Sequence, residues 1–270
     1  MRRALLLAVV GSVLLVAFAG VAWADVFCTG GRCEGTELSD FIRGTAQSDQ
    51  IFALGGSDTV FARAGQDELN GQNGGDELFG ENNADTYNAG SGSDLLSEIT
   101  SITEVTNSGA DVMNGGASDD YMEGNTGPDI LRGEDGDECD GPVAFAHMFG
   151  DQGNDKLYGG TGEDCMEGEE GTDEHYGGND NDFIDAVDDD VDPETGAPRG
   201  THDLVDCGSG VDTAVVNSDE DIVHGNCENI VDVATSATTR VAAPDGTSAE
   251  EQQQIKEAFL AEHGLQAPGS

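Results

Sequence analysis

The sequence predicts an all-β fold, a solenoid of short strands and tight turns, on three observations that share one phase. Aspartate recurs every nine residues at Asp40, Asp49, Asp58, Asp67, Asp76, Asp85 and Asp94. It recurs again at Asp111, Asp120 and Asp129, then at Asp155, Asp164, Asp173 and Asp182, and last at Asp203, Asp212 and Asp221. Two residues after almost every one of them stands an apolar side chain, from Ile42 and Ile51 through Leu69 and Met113 to Val205 and Val223; His175 and Ala214 are the exceptions. Two residues before, glycine is frequent, as at Gly56, Gly65, Gly74, Gly92, Gly127 and Gly162. A short fixed period shared by three residue types marks a repeat architecture.

Each part of this nine-residue unit, G-G-x-G-x-D-x-U-x with U apolar, has a physical reason. Glycine reaches positive φ, so a turn can be tight and its carbonyls can converge. Aspartate adds a hard carboxylate oxygen. Carbonyl and carboxylate oxygens together suit Ca2+, which takes six to eight oxygens in flexible geometry, better than Mg2+, which demands octahedral ligands. The D-x-U-x segment reads as a short strand with U facing inward, because strand side chains alternate. The cleanest copy is Gly159-Gly160-Thr161-Gly162-Glu163-Asp164-Cys165-Met166.

This unit resembles the hemolysin-type, repeats-in-toxin calcium-binding nonapeptide, over roughly residues 35–227. The resemblance implies a parallel β-roll in which two nonapeptides make one coil and Ca2+ sits between stacked turns eighteen residues apart. On this chain it pairs Asp58 with Asp76, Asp67 with Asp85, Asp76 with Asp94, Asp155 with Asp173 and Asp164 with Asp182, with Asp111–Asp129 and Asp203–Asp221 as single-pair sites. All seventeen phased aspartates are candidate metal ligands, for several Ca2+ ions. Asp40, Asp203 and Asp221, which lack the glycine two places before, are expected to be the weakest.

Taken in order, residues 1–24 read as a signal peptide. Arg2 and Arg3 precede an apolar run, and Ala22-Trp23-Ala24 is a cleavage site, so the mature chain is expected to start at Asp25 and to be secreted. Residues 25–34 form an N-terminal cap with Cys28 and Cys33, and residues 35–232 the roll. The rhythm slips at 97–108, expected as a coil without metal, at 139–149, expected as an irregular coil, and at 186–201, expected as a looped-out acidic segment. The slips are small enough to predict one continuous solenoid. Residues 233–270 read as a linker and a short C-terminal helix over 249–263, with a capping box at Ser248 and Glu251.

The six cysteines, even in number in an exported chain, point to disulfides. Six allow fifteen pairings; loop-closure cost favours near neighbours, hence Cys28–Cys33, Cys139–Cys165 and Cys207–Cys227.

The chain carries 55 Asp and Glu against 10 Lys and Arg, a net charge of −45. Leu, Ile, Val and Phe make up only 44 of the 246 residues from Asp25 on. Such a chain repels itself and buries too little apolar surface to fold unaided, so folding is expected to need cations. Nucleic acid and anionic membranes are excluded as partners, since phosphate contacts need clustered Lys and Arg. No H-E-x-x-H or G-x-S-x-G motif occurs, and no enzyme is expected. The expected function is a secreted scaffold or interaction protein that folds on extracellular Ca2+. The rival readings are a calcium-dependent adhesin, matrix or glycan-binding surface, and a polysaccharide-active solenoid enzyme.

Overall fold

The computed structural model describes residues 14–18, 21–98, 109–137, 139, 148–187, 202–217, 221–233 and 237–240. Within them the fold is all-β. Two long, mostly parallel sheets stack face to face, consistent with a parallel β-roll. The chain alternates between the sheets, so every pair of nonapeptides adds one strand to each. The ten-stranded sheet holds Gly31–Thr36, Asp49–Gly55, Glu68–Asn73, Thr86–Ser91, Val112–Ala117, Ile130–Asp135, Lys156–Thr161, Glu174–Asn179, Leu204–Ser209 and Ile222–Val223. The thirteen-stranded sheet holds Leu14–Phe18, Val21–Phe27, Asp40–Arg43, Thr59–Ala64, Glu77–Asn82, Leu95–Ser97, Tyr121–Glu123, Met148–Phe149, Cys165–Glu167, Phe183–Asp185, Thr213–Val216, Asn229–Asp232 and Ala237–Arg240. Its two terminal strands, Leu14–Phe18 and Ala237–Arg240, run antiparallel to their neighbours.

Strand alternation sends the apolar residue of each repeat inward, and the register stacks like on like. One column runs Ile42, Val60, Leu78, Leu96, Met122, Met148, Met166, Ile184 and Ala214. The facing column runs Cys33, Ile51, Leu69, Tyr87, Met113, Leu131, Leu157, His175 and Val205. All of these are buried and together they form the core. His175 stands where an apolar residue is expected, and burial holds its imidazole neutral, down to about 4.

The turns stack so tightly that some positions accept glycine alone. Gly74 has φ +132°, and a Cβ there would run into the carbonyl oxygen of Gly56 one coil below. Four residues before the aspartate the backbone is also left-handed at most repeats, even without glycine, as at Leu54 (φ 84°), Arg63 (87°), Gln72 (77°) and Glu81 (76°), but not at Thr36 and Thr45 of the first two. Each of these costs on the order of 1 kcal/mol relative to glycine. The repeated geometry of the stack imposes the conformation even where the glycine is missing.

The slips resolve into insertions within single coils. Thr86–Ser91 pairs directly with Val112–Ala117, so residues 97–108 add no further coil to the stack, contrary to the expectation of a metal-free one. Phe183–Asp185 pairs directly with Thr213–Val216, so the acidic segment is looped out as expected. Residues 99–108, 140–147 and 188–201 themselves lie outside the described residues, as does the expected helix at 249–263. The cap at 25–34 is the first coil itself: its strands join both sheets, and a disulfide links Cys28 to Cys33. Cys139–Cys165 and Cys207–Cys227 are also bonded.

Candidate metal centres: two aspartate ladders

The strand-to-turn geometry brings the phased aspartates into two rows, one along each side of the roll. In the first row the backbone amide of each aspartate donates to the carboxylate of the next coil: Asp40 to Asp58 at 2.7 Å, Asp58 to Asp76 at 2.8 Å, Asp76 to Asp94 at 2.7 Å and Asp94 to Asp120 at 2.9 Å. The row resumes with Asp164 to Asp182 at 3.0 Å and Asp182 to Asp212 at 2.9 Å, and ends with the Asp212 amide on Glu228. The second row runs without a gap: Asp49, Asp67, Asp85, Asp111, Asp129, Asp155, Asp173, Asp203 and Asp221, with steps of 2.5–2.8 Å until the last, at 3.3 Å.

This corrects the sequence-based pairing at its breaks. Asp111–Asp129 and Asp203–Asp221 are not isolated pairs but rungs of one ladder, because the stack passes over each insertion. The steps Asp85–Asp111, Asp94–Asp120 and Asp129–Asp155 span 26 residues, and Asp173–Asp203 and Asp182–Asp212 span 30. Repeat counting along the chain missed them because it compares neighbours in sequence, whereas coils compare neighbours in space. In the sequence, residue 146, eighteen before Asp164, is alanine and supplies no carboxylate; it lies outside the described residues. Sixteen of the seventeen aspartates are buried; Asp221, at the end, is partly exposed.

Along most of the ladder the amide donor takes one carboxylate oxygen and leaves the other. The Oδ2 atoms of Asp58, Asp67, Asp76, Asp85, Asp94, Asp129, Asp155, Asp182 and Asp212 are buried without a hydrogen-bond partner. Burial is the main force on these groups, and neighbouring carboxylates add to it. Asp58 is pushed up to about 7, and Asp85, Asp155 and Asp182 to about 8, against the amide donors that pull the other way. Buried anions in rows with open oxygens are unfavourable alone. They become favourable when a cation sits between them.

Against known families, the RTX calcium-binding nonapeptide repeat matches the chain in four copies, at residues 34–69, 63–96, 105–137 and 147–174. This is an RTX calcium-binding repeat protein. No curated protein matches the chain. RTX repeats bind Ca2+, and the donors present here fit that ion: all are hard oxygens, and the unpartnered ones lie in two rows. The ladders of the RTX protein outrun the matched copies, since Asp182, Asp203 and Asp212, beyond residue 174, are buried rungs of the same stack.

One buried carboxylate lies off the nine-residue phase. Glu98, fully buried, lies with Asp85 and Asp111 in a cluster in which one carboxylate oxygen of each is within 4.8 Å of the others. It follows the last apolar residue of an ordinary repeat, and only its departure from the small residues otherwise found at that place signals it.

Proposed function

We propose that this RTX protein is a secreted, non-catalytic scaffold that is unfolded at low calcium and folds when extracellular Ca2+ fills its aspartate ladders. The supporting observation is the pair of buried rows of carboxylates, nine of which have an Oδ2 left without a partner: Asp58, Asp67, Asp76, Asp85, Asp94, Asp129, Asp155, Asp182 and Asp212. Without ions these rows oppose folding; with ions they clamp coil to coil, so that ion binding and folding are one equilibrium. Extracellular calcium modules work at roughly 10⁻⁴–10⁻³ M, which sets the switch between the inside and the outside of a cell. RTX repeat proteins are generally secreted, and three disulfides suit an oxidising compartment. In this reading the leader is cut after Ala24 and Asp25-Val26-Phe27 remains as the first strand. Circular dichroism of residues 25–270 during a Ca2+ titration tests it. β-structure should rise with calcium and vanish in excess chelator; β-structure unchanged by chelator overturns the reading.

A second reading, a calcium-dependent surface that binds glycan, has one observation in its favour. The outer face of the thirteen-stranded sheet carries a strip of rings, Phe41 to Phe61 at 5.2 Å and Phe61 to Phe79 at 5.1 Å, with Arg43 4.6 Å over Phe41 and the exposed Phe27 beside them. A glycan array probed with the calcium-loaded protein, with Phe61→Ala as control, separates the two readings.

A further inference from the structure

The position four residues after a ladder aspartate faces into the roll at all but the last rung and is small at most, as at Gly44, Ala53, Ala62, Gly71, Gly80 and Ala89. There is a steric reason: a Cβ on Gly71 would come within 2.5 Å of the Asp76 carboxylate. Among the seventeen such positions a single one is charged, Glu98, four residues after Asp94.

The surroundings of Glu98 are made to receive it. The core position of the facing strand holds Tyr87, fully buried, whose hydroxyl donates to Glu98 Oε1. The same hydroxyl accepts from the Gly80 amide at 2.9 Å, and Glu98 Oε1 lies nearer to it than its other acceptor, the Ser97 carbonyl at 3.4 Å. A Cβ on Gly80 would come within 2.9 Å of Glu98 Oε1, so the absence of a side chain there leaves the room that Glu98 fills. Asp111 accepts from two backbone amides, Asp85 at 2.5 Å and Gly109 at 3.4 Å, which fixes it as an acceptor. That leaves Glu98 Oε2 and Asp85 Oδ2, both buried and both without a partner. Three carboxylates with converging oxygens, two of those oxygens open, suit a cation.

We propose that Asp85, Asp111 and Glu98 form a calcium site of a different kind from the turn sites, with Glu98 as its distinguishing ligand, which fills first and holds its ion longest. Ligand charge sets calcium affinity. The nonapeptide brings one carboxylate from each of two stacked turns, whereas this step of the ladder has a third. The site lies next to the first insertion, so the tightest ion pins the coil at which the eighteen-residue spacing first fails.

This inference rests on the calcium-folding reading, and its test separates the two. Native mass spectrometry counts ions on the full chain as free Ca2+ is lowered stepwise with chelator. The wild type should keep one ion after the others have left. Glu98→Gln, which still accepts from Tyr87, should lose that ion at least tenfold more readily and keep the rest; Asp76→Asn should do the reverse. A Glu98→Gln protein with wild-type ion count and wild-type release overturns the inference alone, whereas a wild type that takes no calcium overturns both readings. Should Glu98→Gln fail to fold at saturating calcium, terbium decides. The first equivalent of Tb3+ should give tyrosine-sensitised emission that Tyr87→Phe abolishes and Tyr176→Phe preserves. Emission from the first equivalent that survives Tyr87→Phe overturns the site.

Discussion

Residues 40–98 and residues 109–232 build the same coil by different means. In the first stretch every ladder step is eighteen residues, both rows are complete, and no disulfide is present. The second stretch absorbs insertions that lengthen its steps to 26 and 30 residues and carries two of the three disulfides. Cys139–Cys165 lies next to Asp164, and Cys207–Cys227 ties the last full coil where Glu228 replaces an aspartate as acceptor. Where the repeat is regular, ions can hold the stack alone. Past the second and third insertions a covalent staple is added, whereas the first, at 97–108, has none near it. The apolar columns cross the faults unchanged, so the period is a demand of the turns and not of the sheets.

This contrast can be broken by substitution. Asp76 is an interior rung of the regular stretch and Asp221 the terminal rung of the other. A buried carboxylate accepting an amide is worth roughly 1.5–3 kcal/mol, or about a 10- to 100-fold change in an equilibrium. Asp76→Ala should therefore raise the calcium midpoint of folding by at least tenfold, and Asp221→Ala by less than about twofold. Equal shifts would show that the ladder has no interior.

Glycine sharpens the same comparison. Gly74→Ala forces a Cβ into the Gly56 carbonyl at a φ that only glycine tolerates, whereas a Cβ on Gly225 meets nothing. At saturating calcium Gly74→Ala should cost more than about 3 kcal/mol, lowering the melting temperature by roughly 6–12 °C. Gly225→Ala should stay within about 0.5 kcal/mol.

Protons replace calcium in the ion-free chain, with a sign opposite to that of an ordinary carboxylate. The ladder groups are raised in the folded state, so their stabilisation is full below the unfolded value near 3.8 and is lost as pH rises through the folded one. The regular stretch spans about 6 at Asp67, about 7 at Asp58 and Asp94 and about 8 at Asp85, and the interrupted one about 6 at Asp111, about 7 at Asp129 and Asp212 and about 8 at Asp155 and Asp182. Hydrogen exchange in chelator should find protection at pH 5 that fades toward pH 8 in both stretches alike.

Smaller effects follow from the insertions and the strained turns. Deleting residues 99–106 restores an eighteen-residue step between Asp85 and Asp111, and loop closure of this size is worth only about 1 kcal/mol. The melting temperature should change by no more than about 4 °C; failure to fold would show that the insertion is part of the coil. Smallest of all, Gln72→Gly relieves a left-handed residue and should gain about 0.5–1 kcal/mol, while Asn125→Gly, where asparagine already tolerates that conformation, should gain less.

Much of this was legible from the residues. The phase of Asp40 through Asp221 gave the turns, the residues two places on gave the two core columns, and closeness in sequence gave the three disulfides. The ladder steps across the breaks were not legible, since nothing in residues 99–108 states how far the chain travels before Val112 returns beside Thr86. Glu98 was hidden for a related reason. A carboxylate near an insertion in so acidic a chain looks solvated, and only packing puts it inside against Tyr87. The left-handed Leu54 and Arg63 were invisible because propensity argues against them and the stack overrules it.

The reversed strands at the ends of the thirteen-stranded sheet bear on whether molecules can join end to end. A pile of like coils has no inherent length, and an open terminal rung is a template for the next chain. Ala237–Arg240, running against its neighbour, breaks the parallel register of that template at the C-terminal end of its sheet. Leu14–Phe18 does the same at the other end, but only while residues 1–24 remain. A chain cut after Ala24 therefore presents a parallel edge at its first coil and a reversed one at the last strand of the thirteen-stranded sheet, so like-to-like stacking of coils is continuous at one end only.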